Sequence, residues 1–430
     1  MGFFAYAKEP TLPILGWSNM RLCLILICLF VSTMALAKST VANNLQNITN
    51  QYLIQHRINE GATAIELTVR LPKGKTRTFY SGLTAYQKGS PLSRSNLFKI
   101  GSITKSFVTV LILQLEAEGK LNINDPITRY LPQYPKWKDV TIKQLLNMTS
   151  GIYPFVDSKG FRTTFKNNTA KQFTSKDLIA YAYNNPKCGL SNKVACPTVF
   201  KPGASYEYSN TNYVLAGMII EKITGQPLSE VLQKRLLNKF KLRNTFYLPY
   251  MVTRLPKRYA KFNIPKRMAK EYHSDPLSKT RPENDTTDYN LSWAGPAGAM
   301  VSNTRDITKW IYALFSGKVL PAKQFKKMTS LVCMNPRSCQ LGAPITIKAI
   351  EGPGYALGLL GSNASLGPIW SYEGRTFGSR VIYYWMPEVD ILVTAAVNSS
   401  SNYDIDNLAL LLSRAVKYLI NVKPVSSFEH

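Results

Sequence analysis

The segment from Phe107 to Leu115 is apolar on almost every side of a helix, which predicts a helix buried in the centre of the molecule. Residues 101–105, Gly-Ser-Ile-Thr-Lys, lead directly into it. Ser102 and Lys105 are three residues apart, so they would face the same way on the first turn. A hydroxyl and an amine there lie beside unpaired backbone N–H groups at the positive end of the helix dipole, which suits acyl-transfer chemistry. The alternative is that Ser102 only caps the helix and Lys105 is solvated.

Composition and charge narrow the class of protein. The chain has 430 residues, 45% of them apolar, so it can bury a large core as one domain or two lobes. Its 53 basic against 25 acidic residues give a net charge of +28, which would suit nucleic acid, a lipid surface or a cell-wall polymer. The densest basic stretch, Arg254 to Arg281, lacks the periodicity of a recognition helix and carries no nucleic-acid module. We interpret it as a solvated loop of an exported protein and expect no nucleic-acid partner.

The N-terminus has the three parts of a secretory signal. Met20-Arg21 precedes an apolar run at residues 22–31, and Ala35-Leu36-Ala37 forms a small-residue cleavage site. This pattern predicts a signal peptide over residues 1–37, with Met20 as a candidate true start, and a periplasmic or secreted mature protein without a membrane span. The apolar run is short for a span, and an uncleaved anchor is the competing interpretation.

The mature chain would keep four cysteines in two close pairs, Cys188 with Cys196 and Cys333 with Cys339, each flanked by turn residues. In an exported protein this spacing favours two short-loop disulfides. Metal binding is a poor alternative because neither pair has CxxC spacing and the chain has only three histidines. No Walker loop or Gly-x-Gly-x-x-Gly occurs either, and we expect neither a metal nor a cofactor.

The order of predicted elements indicates an α+β fold. Residues 62–80 read as a strand hairpin, residues 378–386 and 391–397 as strands, and residues 404–420 as a final helix. We therefore expect an antiparallel sheet built from both ends of the chain, flanked by helices, with a mostly helical region inserted. The predicted organisation is one domain over residues 38–430, with a sheet lobe at about 38–95 and 300–430 and a helical lobe at about 96–299.

Three further segments have less regular patterns. Asp125-Pro126 has the composition of a helix start, with Asp as the cap and Pro at the first helical position. The segment that begins at Gly295 predicts a helix that continues through Phe315. Residues 245–290 form a long polar connection without periodicity, which indicates an excursion over the surface.

The sequence argues against a Ser-His-Asp triad. No Gly-x-Ser-x-Gly occurs, and the histidines lie in the N-terminal helix, the middle connection and the last position. A serine enzyme would therefore take its base from lysine or tyrosine. Burial would lower the pKa of Lys105 towards the neutral form. Tyr208 is the second candidate, because a neighbouring cation such as Lys105 would let a phenol act as a base near neutrality.

The stretch from Pro202 to Asn210, Pro-Gly-Ala-Ser-Tyr-Glu-Tyr-Ser-Asn, is followed by an apolar helix. Together with Ser102-x-x-Lys105, it resembles the penicillin-recognising serine hydrolases: class C β-lactamases, D-Ala-D-Ala carboxypeptidases and related esterases. Further similar stretches lie at residues 119–132, 145–151 and 295–306. The similarity covers about residues 60–400, and the order and spacing of the motifs make it far more specific than any one of them.

This resemblance implies roles for the motif residues. Ser102 would attack the acyl carbon, while Lys105 and Tyr208 would carry the proton from the hydroxyl to the leaving group. Asn210 would hold the substrate amide or Lys105. The fold it implies is the β-lactamase/transpeptidase type.

The family's third motif, Lys-Thr-Gly or His-x-Gly on the strand that lines the site, corresponds here to Tyr372-Glu373-Gly374 followed by Arg375. A tyrosine can donate a hydrogen bond to a substrate carboxylate but brings no positive charge, which argues against β-lactam turnover and carboxylate-dependent peptidase activity. Arg375 is the candidate to restore that charge, and its backbone N–H would form the oxyanion hole with that of Ser102. The alternatives are an ordinary strand aromatic at Tyr372 and a solvated side chain at Arg375.

The leading hypothesis is an exported serine hydrolase that forms an acyl-enzyme at Ser102. Its substrate would be a D-amino-acid amide, as in cell-wall stem peptides, or a related lactam or ester. An esterase on the same machinery is one rival, favoured by the loss of a cation in the third motif. The other is a catalytically silent protein that binds the cell wall, favoured by the net charge of +28.

Overall fold

The computed structural model describes residues 41–57, 60–184, 198–274, 284–348, 350–365, 367–401 and 407–422. The predicted signal peptide and the Cys188–Cys196 pair lie outside these residues. The other predicted disulfide, Cys333–Cys339, is present, with its Cα atoms 6.0 Å apart. No helix within the described ranges combines the length and apolar character needed to cross a bilayer.

Eleven α-helices are assigned in the described residues. They are α1 (41–56), α2 (Thr104–Ala117), α3 (Ile142–Leu146), α4 (Lys159–Asn167), α5 (Ser175–Tyr183), α6 (Asn210–Thr224), α7 (Leu228–Leu232), α8 (Ile264–Arg267), α9 (Thr304–Phe315), α10 (Ala322–Met328) and α11 (Asn407–Asn421). The same residues contain fifteen strands. They are β1 (Ala64–Arg70), β2 (Thr76–Gly82), β3 (Phe98–Lys99), β4 (Phe246–Tyr247), β5 (Tyr272–Ser274), β6 (Asn284–Asp285), β7 (Met300–Ser302), β8 (Leu331–Cys333), β9 (Pro344–Ile345), β10 (Pro353–Tyr355), β11 (Leu360–Ala364), β12 (Gly367–Arg375), β13 (Arg380–Met386), β14 (Ile391–Val397) and β15 (Ser399–Ser401).

The main sheet has nine strands in the order β2-β1-β14-β13-β12-β11-β10-β8-β9. All its pairs are antiparallel, and the predicted hairpin β1–β2 joins the C-terminal strands through β14, with Ile65 opposite Val397. The sheet is therefore built from both ends of the chain, and the predicted α+β class and β-lactamase/transpeptidase-like fold are confirmed. The division into two lobes stays a prediction.

Each face of the central sheet is covered by helices. Strand β14 is buried along its whole length, which agrees with a sequence that is apolar at every position except Thr394. Residues of α1 and α11 pack on one face in a single apolar cluster with Val393 and Ala395. On the other face, α9 and α2 belong to the larger cluster, where the rings of Trp310 and Phe107 stack at 4.2 Å. As its sequence predicted, α2 is buried on nearly every side.

Two helix predictions are wrong. Asp125-Pro126 does not begin an α-helix; Pro126 is extended and forms a bridge with Thr141, and only a short 3-10 turn follows. The segment from Gly295 to Phe315 is divided into a 3-10 turn, strand β7 and helix α9. The division follows from Asn303, whose side chain accepts from the N–H of Asp306 and starts a new helix.

The connection over residues 245–290 is not only a surface excursion. Strand β4 pairs with β7, and β5 pairs with β15. Glu271 is fully buried and forms an ion pair with Lys99, Nζ to Oε2 3.0 Å. Single apolar residues such as Leu248 and Ile264 also dock in the core. These buried residues are irregularly spaced in the sequence because each packs individually. They therefore gave no helical or strand periodicity that would have predicted their burial.

Candidate active site

Ser102 lies on a 3-10 turn, Gly101–Ile103, that continues into α2. The turn is held next to β7 by a hydrogen bond from the N–H of Ile100 to the carbonyl of Met300, 2.9 Å. The serine side chain is partly exposed, while most of α2 beyond it is buried. The turn therefore presents one hydroxyl to the surface from a rigid, buried helix.

Lys105 is fully buried one turn further along. Its Nζ donates to Ser102 Oγ at 2.9 Å, to Asn210 Oδ1 at 2.8 Å and to the carbonyl of Ala297 at 2.8 Å. Burial lowers the pKa of Lys105, and the interaction with Tyr208 opposes this shift only in part. A neutral amine keeps two N–H donors for Asn210 and Ala297, and its lone pair can then accept the hydrogen of Ser102.

Tyr208 reaches Ser102 from another part of the chain. Its Oη is 2.7 Å from Ser102 Oγ, and its ring centroid lies 4.9 Å from Lys105 Nζ. Tyr208 is 36% exposed, so the phenol borders solvent, and it also interacts with the buried amine of Lys105. The hydroxyl of Ser102 therefore contacts both a buried amine and a partly exposed phenol.

The segment that carries Tyr208 is fixed by backbone bonds to the residues after α3. The N–H of Gly203 donates to the carbonyl of Thr149 at 2.8 Å, and the N–H of Glu207 donates to Met148 at 3.0 Å. Gly203 has φ +87°, a conformation that glycine adopts without strain, as the predicted Pro-Gly turn requires. Asn210 then begins α6, which places its amide beside Lys105.

Strand β12 forms the opposite wall. Its pairing with β11 extends from Gly367 to Ser371, whereas its pairing with β13 continues to Arg375. Residues 372–375 therefore lie beyond the β11 pairing, at a local edge of the sheet. A Cβ added at Gly374 would lie 1.8 Å from the carbonyl oxygen of Ile100 and 3.0 Å from the nitrogen of Ser102, so only glycine allows this contact.

The backbone of Arg375 lies against the turn that carries Ser102. A Cβ added at Gly101, which has φ +47°, would be 2.6 Å from the nitrogen of Arg375. The two N–H groups predicted to form an oxyanion hole, those of Ser102 and Arg375, thus belong to segments in direct backbone contact. The guanidinium of Arg375 is partly exposed and lies 3.4 Å from a carboxylate oxygen of Glu373, so the two side chains form a weak surface ion pair.

Tyr372 is buried, and its hydroxyl is 2.9 Å from that of Tyr355 on β10. Burial raises the pKa of both phenols, so both are neutral at ordinary pH. The ring of Tyr355 also contacts that of Tyr208 edge-on, with centroids 6.3 Å apart. Tyr355 and Tyr372 therefore form a pair of uncharged hydroxyls next to Tyr208.

The structure brings the seven predicted site residues together. Hydrogen bonds link Ser102, Lys105, Tyr208 and Asn210, while Tyr372, Gly374 and Arg375 lie on β12, whose backbone contacts the turn that carries Ser102; we call the space between these two groups the cleft. Sequence reasoning missed the carbonyl of Ala297 and the hydroxyl of Tyr355. Neither left a signal, since a carbonyl position depends on the backbone path and Tyr355 lies outside every motif. Within the described ranges, no group of three or more His, Cys, Asp or Glu side chains is arranged to hold a metal ion.

An α+β fold of this type with a Ser-x-x-Lys helix facing a tyrosine defines the β-lactamase/transpeptidase class. The sequence profile of the Beta-lactamase family matches residues 69–415. The chain belongs to that family.

Several proteins are similar to this chain in sequence or in fold. The chain is 27% identical over 237 residues to Protein flp of Staphylococcus aureus and 26% identical over 255 residues to the putative penicillin-binding protein PbpX of Bacillus subtilis. These matches span 54% and 58% of this chain but only 41% and 53% of the relatives' lengths. Among solved structures, a D-stereospecific amidohydrolase from Streptomyces is 28% identical, with TM-score 0.68, covering 86% of this chain and 98% of the other. A D-amino acid amidase from Ochrobactrum anthropi shares the fold at 24% identity, with TM-score 0.72 over 90% of this chain and 100% of the other.

Proposed function

We propose that the protein is an exported serine hydrolase that forms an acyl-enzyme at Ser102 with a D-amino-acid amide, as in cell-wall stem peptides, or a related lactam. The observation that carries this proposal is the double contact of Ser102 Oγ with Lys105 Nζ at 2.9 Å and Tyr208 Oη at 2.7 Å. The likeness to the D-stereospecific amidohydrolase from Streptomyces supports the substrate class. Export rests on the signal pattern in residues 1–37.

In the acylation step, Ser102 Oγ forms a bond to the carbonyl carbon and the carbonyl π electrons move to oxygen. The hydroxyl proton passes to the neutral amine of Lys105. The backbone N–H groups of Ser102 and Arg375 are the donors for the oxyanion. Collapse of the tetrahedral intermediate then breaks the C–N bond.

The leaving nitrogen needs a proton as its bond breaks. Lys105 is fully buried and held by protein acceptors on Asn210 and Ala297, so it cannot reach the substrate. Tyr208 is 36% exposed and faces the cleft. We assign Lys105 to the hydroxyl of Ser102 and Tyr208 to the leaving group. In deacylation, water attacks the acyl carbon and gives a proton to Tyr208, while Lys105 returns its proton to Ser102 Oγ as the ester bond breaks.

Esterase activity on the same machinery is the second candidate. Tyr372 places a neutral hydroxyl at the third-motif position, where the related hydrolases carry a cation, and the nearby Arg375 is paired with Glu373. A leaving group without a carboxylate, such as ammonia, a simple amine or an alcohol, meets no such need. This arrangement favours D-amino-acid amides and short esters over D-Ala-D-Ala peptides.

The test is to incubate the full chain and the Ser102→Ala variant separately with a fluorescent penicillin, a D-amino-acid amide and a chromogenic short-chain ester. Amide turnover or covalent labelling that Ser102→Ala abolishes supports the leading proposal. Ester turnover alone, also lost in Ser102→Ala, selects the esterase. Absence of labelling and turnover in the parent chain, with its melting transition intact, would contradict both candidates and favour a catalytically silent protein.

A further inference from the structure

The net charge of +28 has no role in the chemistry proposed above, which uses one buried lysine. Part of this charge is concentrated at the C-terminal end of α2, opposite the end that carries Ser102. A 14-residue helix is about 20 Å long, so this region is well separated from the cleft. The charge there needs its own explanation.

Two grooves lie around that helix end. The first, of about 730 Å³, runs between the ends of α2 and α6, helix α7 with the turn after it, and residues 319–321. The second, of about 370 Å³, runs between residues 123–124, α3 and α10. Their basic side chains, which we call the basic surface, are Lys120, Lys234, Arg235 and Lys239 in the first groove and Lys143, Lys323, Lys326 and Lys327 in the second.

The two grooves are tied to the same turn of α2. Lys327 Nζ lies 2.9 Å from Glu116 Oε1, and Arg235 Nη1 lies 2.5 Å from Glu118 Oε1. Because Glu116 and Glu118 are two residues apart, the grooves are neighbours on either side of the helix end. Within the described residues, Glu116 and Glu118 are the carboxylates that form ion pairs with these eight cations, so a positive excess remains on the basic surface.

The lining of the grooves indicates the kind of partner. Neither lining includes an aromatic side chain, which a site for unstacked nucleic-acid bases requires. The large apolar side chains exposed in the described ranges are Ile54, Tyr208 and Leu410, all outside these grooves, so the surface lacks the apolar anchors of a membrane-binding face. Seven of the eight cations are lysines, which bind phosphates as point charges without a fixed geometry.

We propose that the basic surface binds a linear phosphate polymer that lies across both grooves. The phosphates of such a chain repeat at short intervals, so one polymer can meet cations of both grooves and release its counterions. Its distance from Ser102 leaves the cleft accessible while the polymer is bound. The binding would hold the protein on a phosphate-rich polymer independently of its catalytic activity.

The test measures binding of fluorescently labelled long-chain inorganic polyphosphate to the full chain by anisotropy over a range of salt concentrations. In the patch variant, Lys234, Lys239, Lys323 and Lys326, all exposed, are changed to Glu. In the matched control, the equally exposed Arg254, Lys257, Lys261 and Lys266 of the basic connection are changed to Glu, which alters the net charge by the same amount. The melting transition checks that both variants fold, and a Lys→Gln set at the patch positions replaces the patch variant if it does not.

We expect the parent to bind with an affinity that falls steeply with salt. The patch variant should lose about 10²-fold in affinity or more and show a salt slope smaller by roughly three, whereas the control should lose less than about fivefold. Equal losses in both variants would show diffuse attraction and overturn the proposal. So would tighter binding of oligo(dT) or of phosphatidylglycerol vesicles through the same four lysines. Ser102→Ala should bind as the parent does, so this result is independent of the hydrolase proposal.

Discussion

The two walls of the cleft differ in what they offer a substrate. On the helical wall, Ser102, Lys105 and Tyr208 form one chain of contacts at 2.7–2.9 Å, with an amine at its buried end. On the strand wall, Tyr372 and Tyr355 contact each other and carry no charge. The proposed function therefore assigns proton transfer to the helical wall and the choice of leaving group to the strand wall. Substitutions on the helical wall should change the acylation rate, and substitutions on the strand wall should change the preference among leaving groups.

The largest effect is expected on the helical wall at Lys105. Lys105→Met keeps most of the volume but removes the amine, and acylation should fall by about 10³-fold because Ser102 loses its neutral proton acceptor. The acylation rate is measured by stopped flow with a chromogenic ester. Asn210 and Ala297 lose their donor, so the melting transition is recorded as a control. Acylation at the parent rate would show that Lys105 does not accept the proton.

Tyr208→Phe should be the next largest change. It keeps the ring near Lys105 but removes the hydroxyl that faces the cleft, and the acylation rate should fall by about 10²-fold. The loss should be greater for an amide than for an activated ester, because only the amide nitrogen needs a proton before it leaves. Tyr383→Phe, a buried tyrosine on β13, serves as the control. Equal losses for the two substrates would contradict the assignment of Tyr208 to the leaving group.

The pH dependence tests the state of Lys105. Burial lowers its pKa from the ordinary 10.5, and the active form is the neutral amine. Acylation should therefore rise with pH, by up to about tenfold per unit, and level off once the pH passes the lowered pKa. The plateau should begin below pH 10.5. A rate that falls as pH rises over the same range, in a protein that stays folded, would reverse the assigned protonation state.

The smallest expected effect is a change of preference on the strand wall. Tyr372→Lys introduces an amine at this buried position, which a bound substrate carboxylate would keep protonated, and the ratio of kcat/KM for a D-Ala-D-Ala peptide to that for the matching amide should rise about tenfold. Tyr372→Phe removes the hydroxyl without adding charge and should leave the ratio nearly unchanged. If the two variants changed the ratio equally, the neutrality of this wall would not determine the leaving group.

The sequence carried more information about the helical wall than about the strand wall. The convergence of Ser102, Lys105 and Tyr208 could be predicted. The Ser-x-x-Lys spacing places a hydroxyl beside an amine, and the lack of a suitably placed histidine leaves lysine and tyrosine as the possible bases. The carbonyl of Ala297 could not, since the turn that aims it falls where one continuous helix was predicted. Tyr355 was missed because its role depends on the pairing of short strands, which leaves no periodic pattern. The core of the sheet was predictable from β14, but Glu271 and its ion pair with Lys99 were not.

The close backbone contacts at Gly101 and Gly374 have a consequence for how the substrate range of this site can evolve. Where the nucleophile turn meets β12, main chain rests directly on main chain, and no side chain acts as a spacer. The distance between the backbone N–H groups of Ser102 and Arg375 therefore does not depend on which side chains surround the cleft. New substrate ranges can then arise by exchanging rim side chains while the reacting geometry is inherited unaltered.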